Sequence, residues 1–182
     1  MLAEDPAAYY MPYQYGNENN PLAHYETTGP EIARDLGRVD VFVAGLGTGG
    51  SLTGTGRFLK EHNPDVKVVA AVPHPGDLVQ GLRALEEGFI PPVLDESVLD
   101  GRIVVDSRTS FAMVKELMEK EAIFAGISAG AVIRVAIKVA ERLENGNVVA
   151  LLADGGWKYL STSLWTMDWG VPHEEVQGKI WW

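Results

Sequence analysis

The sequence predicts an α/β fold, a mostly parallel twisted sheet with helices on both faces. Three observations carry that expectation. The strand candidates are apolar on both faces, as in "VKVVAAV" at 66–72 and "VVALLAD" at 148–154, the pattern of a sheet covered from both sides. They alternate with helical segments along the chain. The first of them runs directly into a glycine-rich turn, "GLGTGGS" at 45–51, at the carboxyl end of a strand where such sheets hold ligands.

Taken in order, residues 1–29 are rich in Pro, Asn, Tyr and Gly, and "GNENNP" at 16–21 reads as turn chemistry. This stretch is expected to be mostly loop, entering a helix near Asn20. Val39 to Ala44 is a short β-branched run, the first strand. Residues 52–62 follow with helical character until Asn63-Pro64 stops them. The second strand, 66–72, leads through a Pro/Gly-rich loop to a short helical piece near Leu82 to Glu87. "RIVVD" at 102–106 is the third strand, with Asp106 or Ser107 capping a helix through about Lys120. "AIFAGI" leads into an apolar helix over about 129–143, where Val132, Ile133, Ala136, Ile137 and Ala140 recur at helical spacing. "VVALLAD" closes the pattern as a last continuous apolar strand. The block after about Leu164 looks unlike a packed domain.

Composition narrows the function classes. A chain of 182 residues, 46% hydrophobic and 22% charged, is large enough for one well-buried core. Fifteen Lys plus Arg against 25 Asp plus Glu give a net charge of −10, which repels nucleic acid and anionic lipid. Without cysteine there is neither a disulfide framework nor a thiolate zinc site, and four scattered His offer no ligand pair at helical spacing, so no metal is expected. The start, "MLAEDPAAYYMPYQYGN", has no basic region followed by an apolar core. No run of 18 apolar residues occurs, so the expectation is a cytoplasmic protein with no membrane span.

The stretch "VFVAGLGTGGSLTGTG" at 41–56 holds six glycines and four hydroxyl residues. Gly45, Gly47 and Gly50 fit the dinucleotide fingerprint G-x-G-x-x-G, but that reading needs an acid at the end of the second strand to hold the ribose hydroxyls. Val72 and Pro73 stand there instead, and the nearest acid, Asp77, lies beyond His74-Pro75-Gly76. A lone phosphate suits the stretch better. The amides of Gly47, Thr48, Gly49, Gly50 and Ser51 would converge on an anion at a helix N-terminus, with the hydroxyls of Thr48 and Ser51 as further donors. A tight strand-to-helix turn without ligand is the third reading.

Several segments in order, "YQYGNENNPLAHYETTGPEI", "GLGTGGSLTGTGRFLKEHNPDVKVVA", "EGFIP", "IFAGISAGA" and "WKYLST", resemble the C-terminal part of fold-type II pyridoxal-phosphate enzymes of the cysteine synthase family. Within it the likeness is greatest to the cysteine synthase B and O-phosphoserine sulfhydrylase branch. It covers about residues 12–164 and extends to the "VQGKIWW" ending. The resemblance implies the large-domain part of a tryptophan synthase β-like fold, divided into the end of the N-terminal region at 1–34, a phosphate-binding α/β domain at 35–164 and a tail at 165–182.

The resemblance also implies a chemistry. Pyridoxal 5′-phosphate is the cofactor, with its phosphate in the loop of Gly47, Thr48, Gly49, Gly50 and Ser51. Ser128 matches the serine whose hydroxyl meets the pyridine nitrogen, a neutral partner that favours elimination chemistry over transamination. Read without the resemblance, Ser128 is the N-cap of the helix over 129–143. In "QGLR" at 80–83, Arg83 stands where phosphoserine-using members place an arginine, and its fork matches a phosphate. The alternative is a solvated helix-end arginine. Gln14 matches a glutamine near the substrate carboxylate, or is a turn residue without ligand. His74 reads first as a surface histidine and Asp154 as a turn residue near the cofactor face.

The implied reaction is β-replacement on O-phosphoserine or O-acetylserine by sulfide, or by the thiocarboxylate of a small sulfur-carrier protein, in a homodimer, giving L-cysteine. Two departures qualify it. The family usually has Glu where Val72 stands. Neither the S-x-K-x-R context of the cofactor-anchoring lysine nor the T-S-G-N-T loop is present, so no catalytic residue is expected in this chain and it reads as inactive alone. "GKIWW" reads as a tail folding toward the active site or as a dimer contact. The rival readings are a non-catalytic relative that binds a phosphate or a protein, and an NAD-binding oxidoreductase.

Overall fold

The computed structural model describes residues 5–170 and 177–180. Its sheet runs in the order β4-β1-β2-β3-β5, with β1 at Val41–Gly45, β2 at Lys67–Val72, β3 at Gly101–Val104, β4 at Val148–Ala150 and β5 at Gln177–Ile180. The first four strands are parallel, as the two-sided apolar runs predict, and β5 is antiparallel to β3.

The two-residue period of a strand sends alternate side chains to opposite faces. Phe42, Ala44, Val68, Ala70 and Val72 meet Leu52 and Leu59 of α3, Gly50–His62, on one side. Val41, Val43, Val69, Ala71 and Ile103 meet Ala131, Val132, Val135 and Val139 of α5, Ile127–Ala140, on the other. A further helix, α4 at Ser107–Glu121, packs against α5, and the Asp106 carboxylate caps it by accepting from the Thr109 amide at 2.8 Å. Of the two capping residues the sequence allowed, Asp106 is the one used.

The α4–α5 contact is close enough to need glycine. A Cβ on Gly130 would overlap the Ser110 carbonyl oxygen and stand 3.0 Å from the Val114 nitrogen, both backbone atoms that cannot rotate away. The buried Ser110 hydroxyl donates to Ile127 O at 2.8 Å and accepts from the Ala131 amide at 3.1 Å, tying α4 to the first turn of α5. Gly130→Ala is expected to destabilise the chain by about 3 kcal/mol, the upper part of the range for overpacking a close contact, measurable by urea unfolding.

The N-terminal stretch enters a helix at Asn19, next to the expected Asn20: α1, Asn19–Ala23, continues through a π-helical turn at His24–Thr28 into α2, Gly29–Leu36. Several other sequence expectations need correction. The helical piece near residue 85 is a short 3-10 turn, Leu85–Glu87. Helix α5 starts at Ile127 rather than 129, because the Gly126 amide donates to Asp154 O at 2.9 Å and holds Gly126 extended as the N-cap. Ser128 is therefore inside the first turn and does not cap it. The last strand is Val148–Ala150, extended by the Leu151 amide bonding to Val43 O, and it is half-buried because it pairs only with β1. In the tail, β5 runs from Gln177 opposite Val104 to Ile180 opposite Gly101, toward the amino ends of the parallel strands and away from the glycine loop. Trp181 and Trp182 lie outside the described residues.

Candidate anion and cofactor site

Strand β1 ends at Gly45 and α3 begins at Gly50, so the loop between them has four residues to reverse direction. The Leu46 amide donates to Ala71 O at 2.9 Å and continues the ladder one residue further. Gly49 then turns the chain with φ of +89° and serves as the N-cap of α3. The backbone passes so close to its surroundings that a Cβ on Gly47 would lie 2.6 Å from Gly81 O, and one on Gly49 2.8 Å from Leu94 Cβ. Among the described residues, no protein acceptor takes the amides of Gly47, Thr48, Gly49 or Ser51; the Gly50 amide donates to Thr48 Oγ1 at 3.3 Å. Unfilled amides at the positive end of a 13-residue helix are an arrangement suited to receiving an anion.

A cavity of about 380 Å³ opens on this loop, lined in part by Gln14, Gly47, Thr48, Gly49, Ser51 and Arg83. Its size suits a small cofactor or substrate. It lies between the carboxyl ends of β1 and β4, where α3 covers one face of the sheet and α5 the other, the switch point at which open α/β sheets bind ligands. Six of the eight residues expected to form the site thus share one cavity. Gly50 faces Asn20 instead, and Ser128 lies beneath Gly81, only 8% exposed.

Arg83 is held rather than solvated. Its amide donates to Leu46 O at 2.7 Å, its guanidinium carbon lies 5.4 Å from the Tyr15 ring centre and 5.1 Å from that of Phe89, and those two rings meet edge to face. Its Nε is buried without a hydrogen-bond partner, and other atoms of the residue line the cavity.

Two contributors escaped the sequence reading. Asn20 Nδ2 donates to Thr48 Oγ1 at 3.0 Å and to Gln14 O at 2.7 Å, while His24 Nε2 lies 3.0 Å from Ser51 Oγ and His24 Nδ1 2.9 Å from Thr28 Oγ1. The Asn20 and His24 contacts to the loop join residues 28 and 27 apart, and no local pattern announces them. Burial lowers the His24 pKa below its ordinary 6.5. Because the unfolded imidazole then binds a proton more readily than the folded one, the anion-free chain keeps its full stability above pH 6.5 and loses it as pH falls toward the folded value. Urea midpoints are expected to drop over that range, and less so in His24→Gln.

Asp77, His74 and Asp154 all lie outside the cavity lining. Asp77 accepts from the Ser107 amide at 2.7 Å, at the start of α4, and so is not placed for a ribose. His74 does not line the cavity. The Asp154 carboxylate accepts from Tyr159 Oη at 2.8 Å and lies 3.5 Å from Lys158 Nζ, and the Tyr159 hydroxyl is pushed up to about 12 by burial and by that bond. Neighbouring Ala153 reaches the cavity, and no lysine among the described residues lines it.

Compared with known proteins, residues 1–154 match the family model described as "Pyridoxal-phosphate dependent enzyme". The chain belongs to this family. It is similar to the cysteine synthase of Aquifex aeolicus (strain VF5), 40% identical over 172 residues that cover 91% of this chain and 53% of that protein. Its fold is similar to the crystal structure of an O-ureido-L-serine synthase, with a TM-score of 0.82 and 40% identity over 91% of this chain and 55% of that one. It is also similar to cysteine synthase from Entamoeba histolytica, with a TM-score of 0.84 and 31% identity over 92% and 52%. The chain spans about half the length of the curated relatives it matches. Pyridoxal phosphate is the cofactor of the family, and the unfilled amides and glycine-lined cradle suit the phosphate it carries. Among the described residues no helix is long and apolar enough to cross a membrane, and no group of His, Cys, Asp and Glu is placed to hold a metal.

Proposed function

We propose that this chain forms the cofactor-phosphate and leaving-group side of a pyridoxal-phosphate-dependent cysteine synthase, as the C-terminal part of that enzyme. The reaction is β-replacement of O-phosphoserine or O-acetylserine by sulfide or a carrier-bound sulfur, in a cytoplasmic homodimer. One observation carries the reading: the loop residues 47–49 and 51, whose amides have no protein acceptor, and the cationic Arg83 line one cavity.

Each residue has a distinct task. Gly47, Thr48, Gly49 and Ser51 hold the cofactor phosphate through amides and hydroxyls, with Gly50 supporting Thr48 from behind, which fixes the ring without any covalent bond from this chain. When bound, the cofactor supplies an electron-withdrawing ring that acidifies the α-carbon of an amino acid and lets a β-substituent depart. Ser128, next to the cavity-lining Gly81, offers a neutral hydroxyl to the ring nitrogen. Arg83 receives the departing phosphate and Gln14 orients the substrate carboxylate. No lysine among the described residues lines the cavity, so the proton at the α-carbon is moved by a group from outside them.

The test joins the chain to the amino-terminal half of a relative such as the Aquifex aeolicus cysteine synthase and assays L-cysteine formation. Turnover with O-phosphoserine and sulfide is expected in the joined protein and none in the chain alone. A joined, folded protein that binds the cofactor but makes no cysteine from either serine ester overturns the reading in favour of a non-catalytic relative.

A further inference from the structure

The hydrogen bonds behind the anion loop form a pattern that its glycines do not explain. Asn20 and His24 lie four residues apart on one continuous helical path, on the same face. Each reaches a different hydroxyl of the loop, Asn20 that of Thr48 and His24 that of Ser51. Gly50 and Gly54, also four apart, admit this approach. A Cβ on Gly50 would overlap the Asn20 side chain, and one on Gly54 would overlap Pro21 O and stand 2.9 Å from His24 Cβ.

Donor and acceptor inventories fix the direction of the Asn20 bonds, and the tautomer of His24 decides the other two. Gln14 O can only accept, so the Asn20 atom bonded to it is the NH2 nitrogen, and that same nitrogen donates to Thr48 Oγ1. Thr48 Oγ1 also accepts from the Gly50 amide, which fills both of its lone pairs and leaves its single proton to be donated elsewhere. At the second position, Thr28 Oγ1 faces His24 Nδ1. With Thr28 donating, the neutral ring carries its proton on Nε2 and donates it to Ser51 Oγ, which frees the Ser51 proton in the same way. The half-buried setting that lowers the His24 pKa favours a neutral ring over a charged one.

We propose that Asn20 and His24 are positioning residues of the anion site, holding Thr48 and Ser51 as donors turned toward the cavity so that two hydroxyl protons join the loop amides on a phosphate. This rests on the phosphate reading of the loop. The hydroxyls contribute only in that orientation, because an oxygen lone pair facing the anion would repel it.

The test measures calorimetric binding of pyridoxine 5′-phosphate and of pyridoxine to the full chain, with thermal unfolding as the control for fold. His24→Phe is expected to weaken the phosphorylated compound about tenfold, the loss of one charge-assisted hydrogen bond, and to leave pyridoxine unchanged. His24→Gln, whose amide can donate to Ser51, restores most of the difference. In a Ser51→Ala background His24→Phe has no further effect, since the hydroxyl it positions is gone. Equal weakening of both compounds, or an undiminished loss in the Ser51→Ala background, overturns the proposal. A wild-type chain that binds the two compounds equally overturns the phosphate reading together with it, whereas phosphate selectivity unaffected by His24→Phe overturns the positioning role alone. Should His24→Phe not fold, the tautomer still decides: nitrogen-15 NMR of the wild-type imidazole is expected to find the proton on Nε2, and a proton on Nδ1 refutes the arrangement.

Discussion

Gly49→Ala is expected to lower the affinity for pyridoxine 5′-phosphate by between about tenfold and a hundredfold, because at least one amide donor to a charged group is lost. Two effects combine. The residue sits at φ of +89°, where an L side chain is strained by roughly 1–2 kcal/mol. The new methyl would also stand 2.8 Å from Leu94 Cβ and 3.2 Å from Leu94 Cα, atoms near or on the backbone that cannot swing aside. Relieving both rotates the peptide units of the loop, and the amides no longer converge. Pyridoxine, which lacks the phosphate, serves as the control and is expected to bind unchanged. Gly50→Ala acts differently, since its methyl meets the side chain of Asn20 rather than backbone, so its loss of affinity should be partly relieved by Asn20→Ala. Retention of the phosphorylated compound by both glycine variants at wild-type strength is the result that removes the anion site from this loop.

The second large effect concerns Arg83. In a protein that carries both halves, Arg83→Ala is expected to reduce kcat/KM for O-phosphoserine by about a hundredfold, the worth of a charge-assisted bond of roughly 2.7 kcal/mol, with little change for O-acetylserine. The difference follows from charge, because the acetyl leaving group has no counterpart for a guanidinium. Arg83→Lys should not restore it. The flat guanidinium between Tyr15 and Phe89 is replaced there by a round ammonium that neither stacks nor forks. Equal losses for the two esters would mean that Arg83 supports the cavity wall and selects nothing.

Much of the fold was legible because it is local. The two-sided apolar runs of β1 and β2 and the Asp106 cap each depend on residues within a few positions of one another, and periodicity and capping rules read that scale. Ser128 was misplaced as a cap for the opposite reason. The bond that makes Gly126 the N-cap comes from Asp154 O, far along the chain, and nothing within "GISAG" signals it. The last strand was read as a continuous apolar run covered from both faces, but burial of a strand also depends on its neighbours in the sheet, and β4 has β1 on one side only. The tail offered no strand signal that outweighed its glycine and polar residues, and β5 is defined by its pairing to β3 rather than by its own sequence.

The sequence by itself determined that this is an α/β chain with a glycine loop able to bind an anion at the start of α3, since period, turn chemistry and helix polarity are properties of contiguous residues. Only the tertiary structure decided where that anion meets anything else. Placing β4 beside β1 opens the crevice, the Leu46 carbonyl fixes Arg83 at its edge, and the helix from Asn19 brings Asn20 and His24 behind the loop. Those neighbours are chosen by the packing of both faces of the sheet, a free energy summed over the whole core, and no short segment carries enough of that sum to reveal them.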